Sequence, residues 1–158
     1  MNEITHKELE QLAGLPLKRL NLNFCNGVDD KALRTLVELG LPLEELEIGG
    51  LNLRDADLAC LRGLPLQRLG LYDSPWLTDA GVAHLAPLPL QSLTALPISL
   101  QSLTLTTGPG ESQITTTAVS VLEALPLQRL LLQNCTGIDA DGWDRLAKLP
   151  ARVIGPGI

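Results

Sequence analysis

Three cysteines and two histidines are the side chains best suited to nucleophilic or metal-assisted chemistry: Cys25, Cys60, Cys135, His6 and His84. Such chemistry requires a nucleophile, a base and an orienting group that converge, or a zinc ion with four ligands or three and a water. The cysteines have no C-x-x-C spacing, and only Cys60 and His84 are spaced so that two neighbouring helices could bring them together. Two ligands do not form a zinc site. We therefore expect no catalytic residue, no metal and no cofactor.

Carboxylates and threonines cluster at intervals just before apolar helical patterns: Asp29, Asp30, Asp55, Thr78, Asp79, Thr115 to Thr117, Asp139 and Asp141. Paired carboxylates can bind metals or act as acid and base. However, Asp and Thr are favoured helix N-caps, and negative charge is stabilised at a helix N-terminus. We interpret these residues as caps, with Asp79 capping its helix. A phosphate-binding loop is not predicted, because Gly108-Pro109-Gly110 lacks the lysine and the spacing.

These elements recur because the chain is repetitive. Leu-Pro-Leu begins at Leu15, Leu41, Leu64, Leu88 and Leu125 and fades at Leu149-Pro150, giving steps of 26, 23, 24, 37 and 24 residues. Periods of about 20 to 29 residues with an L-x-x-L-x-L core are typical of leucine-rich repeats. We predict one leucine-rich repeat domain over residues 1–158, with a half repeat at 1–14, full repeats that start near those five leucines, and a terminal strand at 149–154.

The internal spacing of each repeat predicts its secondary structure. An aliphatic anchor follows each turn: Ile4, Val28, Leu53, Leu77, Ile114 and Ile138. Apolar residues follow five and eight positions after each anchor, so these two members lie on one helix face. The prediction is an α/β horseshoe-shaped solenoid of about five to six coils, each with one parallel strand and one short helix. Neither end has an obvious polar cap, so the chain is either a fragment or contacts a partner through its ends.

The step of 37 residues contains a short duplication. Residues 90–94 and 100–104 have the same letters, Leu-Gln-Ser-Leu-Thr, and removing ten residues restores a step of 27. Ten residues are too few for another repeat. We expect the second copy, Leu100 to Leu105, to form the strand because it ends in Leu-Thr-Leu, and we expect the first copy to bulge out as a second candidate contact site.

Composition excludes several function classes. A net charge of −6 disfavours nucleic-acid binding, which depends on clustered Lys and Arg. The sequence contains neither a signal-peptide core nor eighteen consecutive uncharged apolar residues, so no membrane association is expected. An odd set of cysteines without paired spacing fits a reduced, cytoplasmic interior.

Two segments resemble known families. The turns at Cys25 and Cys135, with VDDKAL at 28–33 and LTDAGVAHL at 77–85, resemble the cysteine-containing leucine-rich repeats of F-box proteins and many bacterial proteins. In the middle repeats that cysteine is replaced by Leu51, Ser74 and Gly108. Residues 94–105 resemble repeats of bacterial effector ubiquitin ligases, which implies bacterial origin, with a place in the bacterial cytoplasm or delivery into a host cell.

The outward side chains of the predicted strands are the candidate binding site. If Leu20 and Leu22 face the core, Arg19 faces out together with Glu45, Arg68 and Arg129, and Glu45 should pair with a neighbouring arginine. Tyr72 is expected to stand among small residues as an interface anchor, with Asp73 and the surface residue Trp76 beside it. We expect Trp143 to be core.

A non-enzymatic module that binds a protein partner of unknown identity through this face is the leading interpretation. The alternative is the substrate-recognition arm of a larger ubiquitin ligase or bacterial effector.

Overall fold

The computed structural model describes residues 4–25, 27–49, 53–72, 76–88, 92–96, 114–132 and 135–155. The strands are β1 Arg19–Asn23, β2 Glu45–Gly49, β3 Arg68–Tyr72, β4 Ser92–Leu96, β5 Arg129–Leu132 and β6 Arg152–Ile154. The helices are α1 His6–Glu10, α2 Asp30–Glu38, α3 Asp55–Cys60, α4 Asp79–Ala83, α5 Thr116–Ala124 and α6 Ala140–Ala147, and a 3-10 turn, Leu61–Gly63, extends α3. Within these ranges strands and helices alternate along the chain.

The six strands form one open sheet in the order β1-β2-β3-β4-β5-β6, and every neighbouring pair is parallel. Parallel neighbours require a crossover, and the helix that follows each of β1, β2, β3, β4 and β5 lies in that crossover. The predicted mixed α/β class with parallel strands and several helices is confirmed. Register aligns Arg19 with Glu45, Glu45 with Arg68, and Arg68 with Ser92.

The core lies between the inward face of the sheet and the helices. Leu46 and Ile48 of β2 and Leu33 and Leu36 of α2 are fully buried. The anchors from Val28 onward, which begin each connection from strand to helix, are also buried: Val28, Leu53, Leu77, Ile114 and Ile138. Together these side chains form one continuous aliphatic cluster, because the leucine spacing aims strand and helix residues at the same interior.

The expectation that the second copy of the duplicated sequence forms the strand was wrong. The first copy forms β4, between β3 and β5, with Ser92 aligned to Arg68 and Arg129. In each of the other full repeats the strand starts four positions after the first leucine of Leu-Pro-Leu, and Ser92 lies four positions after Leu88. The short connection therefore delivers the first copy to the sheet. The second copy lies outside the described residues.

Four of the residues interpreted as caps are N-caps: Asp29, Thr78, Thr115 and Asp139. The others lie inside the first turn of their helices: Asp30, Asp55, Asp79, Thr116, Thr117 and Asp141. Asp29 accepts a hydrogen bond from the Ala32 N–H at 3.0 Å, Thr78 from the Ala80 N–H at 3.1 Å, and Asp139 from the Gly142 N–H at 2.8 Å. Asp79 is not a cap, because Thr78 already occupies that position. The Asp79 carboxylate instead accepts a hydrogen bond from the Thr115 N–H at 2.6 Å and another from the Thr115 hydroxyl, so it links α4 to the start of the next helix.

Candidate functional site

The outward face of the sheet carries a row of charged residues at the start of the strands. We call it the first outward row, and its members are Arg19, Glu45, Arg68, Arg129 and Arg152. Between Arg68 and Arg129 the register position is Ser92. Glu45 Oε2 lies 2.7 Å from Arg68 Nη2 and 3.6 Å from Arg19 Nε. The prediction that Glu45 pairs with a neighbouring arginine is confirmed, and the carboxylate is shared by both. Parallel register places these charges on adjacent strands about 4.8 Å apart.

One residue before this row, Lys18 and Glu44 form a second cross-strand ion pair at 2.7 Å. The hydrogen bond from Lys18 holds the pKa of the Glu44 carboxyl below its usual range. On the β1–β3 side of the face, positive and negative side chains therefore alternate across the strands, and each positive side chain of these ion pairs has a carboxylate beside it.

At the other side of the sheet the row is not compensated. Arg129 of β5 and Arg152 of β6 are register partners, and both are exposed. Among the described residues neither arginine forms a salt bridge. Two residues further along each strand, Leu131 and Ile154 are also register partners and are partly exposed. This half of the face therefore combines positive charge with aliphatic surface.

Asn21, Asn23 and Glu47 form a polar cluster in the middle of β1 and β2. Both asparagine amides donate to Glu47 Oε2, with Asn23 Nδ2 at 3.1 Å. The Asn21 side chain accepts from the Asn23 N–H at 2.9 Å. Asn23 Oδ1 is buried without a hydrogen-bond partner among the described residues. The cluster holds Glu47 in place, next to Tyr72.

Tyr72 ends β3 and lies against the outward face of the sheet, half-buried. A Cβ atom on Gly70 would lie 2.6 Å from Tyr72 Cε2 and 3.1 Å from its hydroxyl, so the ring folds back across Gly70. Its register neighbours are Gly49 and Leu96, so the expected small residue is present on the β2 side, and on the β4 side the register position is a leucine. Burial raises the pKa of the Tyr72 phenol, and the negative charges of Glu47 and Glu45 raise it further.

Phe24 follows β1 directly and was missed by the sequence analysis. It is 65% exposed, and its backbone has a φ of 56°, in the left-handed region that disfavours side chains with a Cβ atom. Its N–H donates to the Gly49 carbonyl at 2.8 Å, which anchors the turn to β2. The sequence signal that could have identified Phe24 as a site residue is that the only phenylalanine of the chain comes directly after a predicted strand.

Trp76 is 55% exposed in the turn between β3 and α4, which confirms the prediction that it is a surface residue. Carboxyl ends of parallel strands meet at one edge of a sheet, so Trp76 lies at the same edge as Phe24 and Tyr72. We call these three residues the aromatic edge. The chain has four aromatic residues in all. The fourth, Trp143, was expected in the core and is half-buried, packed against it.

The other candidates are dispersed. Asp73 lies outside the described residues, and Arg129 lies two strands away from Tyr72. His84 Nδ1 lies 3.1 Å from Arg62 Nη2 on the helix side. Cys135 is buried, and Cys25 and Cys60 are half-buried. No group of three potential metal ligands occurs in the described part of the chain.

No protein-family model matches the sequence, and no curated protein is significantly similar to it. Among the helices within the described ranges, none has the length and apolar composition needed to cross a bilayer.

Proposed function

We propose that this chain is a leucine-rich repeat solenoid that acts as a non-enzymatic protein-binding module. The repeat period, the one parallel strand per repeat and the strictly sequential strand order all support this architecture. Such folds expose a long row of strand residues to solvent, which suits them to contacts with extended surfaces of other macromolecules.

The observation that carries the binding function is the aromatic edge. Phe24 and Trp76 are two of the three large apolar side chains that are exposed among the described residues. Tyr72, the last residue of β3, is half-buried near Glu47 of the polar cluster. Aromatic residues dominate the energetic centres of protein interfaces because a rigid ring buries much area at low entropic cost.

The left-handed backbone of Phe24 also supports a binding role for its side chain. A bulky residue in the left-handed conformation costs roughly 1–2 kcal/mol relative to glycine. The equivalent residue after β2 in the sequence is Gly50. The strained backbone and the exposure of the apolar ring to water both cost free energy, and the fold itself gains nothing from the phenylalanine ring. A partner that covers the ring would offset these two costs. The aromatic edge is therefore the proposed centre of the interface, and Arg19, Glu45 and Arg68 extend it along the same strands to their opposite ends.

Selection of peptides from a random phage-displayed library on the immobilised protein tests the proposal, followed by titration of the selected peptides. We expect Phe24→Gly to weaken binding about tenfold, as hot-spot substitutions do. The same variant should unfold at the same or a higher temperature because the glycine relieves the backbone strain.

Tyr72→Ala and Trp76→Ala should also weaken the selected peptides, and Asn21→Ala should have little effect. Leu15→Ala is the matched control, because Leu15 is the third exposed large apolar residue and lies before β1, at the opposite end of the strands. Peptides that bind all of these variants equally would refute the proposed interface.

A further inference from the structure

Half of the arginines in this acidic chain lie in one row. The sequence contains eight arginines, and four of them, Arg19, Arg68, Arg129 and Arg152, belong to the first outward row. The chain as a whole has a net charge of −6. The first outward row therefore carries net positive charge, four arginines against Glu45, in a chain whose overall charge is negative.

Only part of this positive charge is neutralised within the chain. Glu45 serves both Arg19 and Arg68 through its Oε2 atom. Arg129 and Arg152 are register partners on the adjacent strands β5 and β6. Among the described residues, no carboxylate lies within ion-pair distance of either guanidinium group. Like charges on directly opposed strand residues destabilise a sheet. An external anionic group between the two guanidinium groups would remove this repulsion.

The surroundings of the pair indicate what kind of anion fits. Leu131 and Ile154 follow the arginines two residues along their strands, which is roughly 6.6 Å. Both side chains are partly exposed on the outward face. A ligand that lies across β5 and β6 would therefore meet two guanidinium groups and, beside them, two aliphatic groups.

We propose that Arg129, Arg152, Leu131 and Ile154 form a subsite for an extended segment of a protein partner that places carboxylate side chains next to aliphatic ones. The inference rests on the proposed function and specifies the partner's chemistry. Planar guanidinium groups bind carboxylates through two parallel hydrogen bonds, and the apolar pair excludes water from the neighbouring contact. We favour carboxylates over nucleic-acid phosphates because two unpaired arginines supply little of the charge that phosphate backbones require.

Fluorescence anisotropy with the labelled hexapeptide Glu-Glu-Leu-Leu-Glu-Glu tests the subsite. In an extended chain this peptide presents glutamate and leucine two residues apart on one face, which is the spacing between the arginines and the aliphatic pair. We expect the wild-type protein to bind it, and the Arg129→Gln/Arg152→Gln double variant to bind about tenfold more weakly. The matched control is Arg34→Gln/Arg62→Gln, which removes the same two charges from α2 and the turn after α3, on the helix side of the molecule. The control variant should retain wild-type affinity.

Three further arms sharpen the test. The corresponding glutamine–leucine peptide should bind more weakly than the glutamate peptide, and added salt should reduce the difference by screening. Equal loss in the control variant would reduce the effect to net charge and overturn the proposal. Tighter, Arg129- and Arg152-dependent binding of a labelled oligothymidylate would overturn it in favour of nucleic acid.

Two further outcomes distinguish the subsite at Arg129 and Arg152 from the binding module as a whole. Library peptides that depend on Phe24 but not on Arg129 or Arg152, together with no binding of the glutamate–leucine peptide, would refute the subsite alone. The absence of any peptide that depends on an outward-face residue would refute the binding module and the subsite together.

Discussion

The Asp55 carboxylate accepts two hydrogen bonds from Thr78, one from its N–H at 2.8 Å and one from its hydroxyl at 2.7 Å. Asp55 is the first residue of α3, and Thr78 is the N-cap of α4, so the pair joins the starts of two neighbouring helices. Gly81 permits this approach, because a Cβ atom there would collide with the Asp55 carboxylate. Asp79 and Thr115 repeat the arrangement one helix further on.

Asp55→Ala should destabilise the protein by about 1–2 kcal/mol, since two hydrogen bonds to a charged group are lost and the Thr78 N–H is left without its acceptor. Urea unfolding measures the change. Asp144→Ala, an exposed substitution on α6, should change the free energy of unfolding by about 0.5 kcal/mol or less. Adding Thr78→Val to Asp55→Ala should cost less than the sum of the single changes, and full additivity would contradict the coupling.

Gly49 and Gly70 both lie against Tyr72, but we expect their substitution to differ in effect. An alanine at Gly49 would place its Cβ 2.5 Å from Tyr72 Cβ and 3.0 Å from the Tyr72 carbonyl oxygen, which cannot move without the strand. An alanine at Gly70 meets the far end of the ring, which can rotate away. Gly49→Ala should therefore cost about 1–3 kcal/mol and Gly70→Ala less than about 1 kcal/mol. Equal losses would contradict the described ring position.

Tyr72 is the only tyrosine, so absorbance of the tyrosinate band reports its ionisation alone. We expect its pKa in the folded protein to exceed that of the urea-unfolded chain, which should be about 10. The raised pKa means that the folded state holds the proton more tightly, so this contribution to stability is lost as the pH rises above about 10.

Glu47→Gln should lower the Tyr72 pKa without returning it to the unfolded value, because burial is the larger cause. Glu38→Gln on α2 serves as the control. Equal values in the folded and unfolded protein would show that the ring is solvated.

Hydrogen bonds from the Gly142 N–H and the Thr116 hydroxyl hold the pKa of the Asp139 carboxyl below its usual range. The resulting stability is present above the ordinary pKa of about 3.9 and is lost as the pH falls through the lower, folded value. Asp139→Asn keeps a capping oxygen but cannot titrate. The difference in unfolding temperature between wild type and this variant should shrink below about pH 4. A constant difference would contradict the assignment, and Asp144→Asn controls for the loss of one carboxylate from α6.

Deletion of Gln91 to Leu100 should leave a folded protein. It brings Ser102 to four residues after Leu88, the spacing that Ser92 now has, and supplies the same letters. Deletion of Leu100 to Pro109, which retains the first copy, is the matched comparison. Circular dichroism and urea unfolding should show a cooperative transition for both. Loss of folding in the first deletion alone would mean that the two copies are not interchangeable.

The sequence alone determined the strands, helices and caps whose local residue patterns recur from repeat to repeat. The leucines at the strand, the anchors such as Val28, and caps such as Asp29 and Asp139 were identifiable because periodicity and capping depend on residues within a few positions. The outward position of Arg19, Glu45 and Arg68 followed from strand alternation. The sequence could not assign Asp79, because its carboxylate binds Thr115, which is 36 positions away and adjacent only in the folded chain.

The tertiary structure decided features that the sequence left open, either because two segments have the same residues or because the residues concerned carry no local signal. Residues 90–94 and 100–104 have the same local preference, and the short connection from Leu88 selected the first copy for β4. The ring of Tyr72 lies across Gly70 because two glycines on adjacent strands leave space there. Phe24 has a left-handed backbone because its N–H bonds to Gly49 at the turn. The pairing of Arg129 with Arg152 arises from sheet register between residues 23 positions apart, which only the assembled fold establishes.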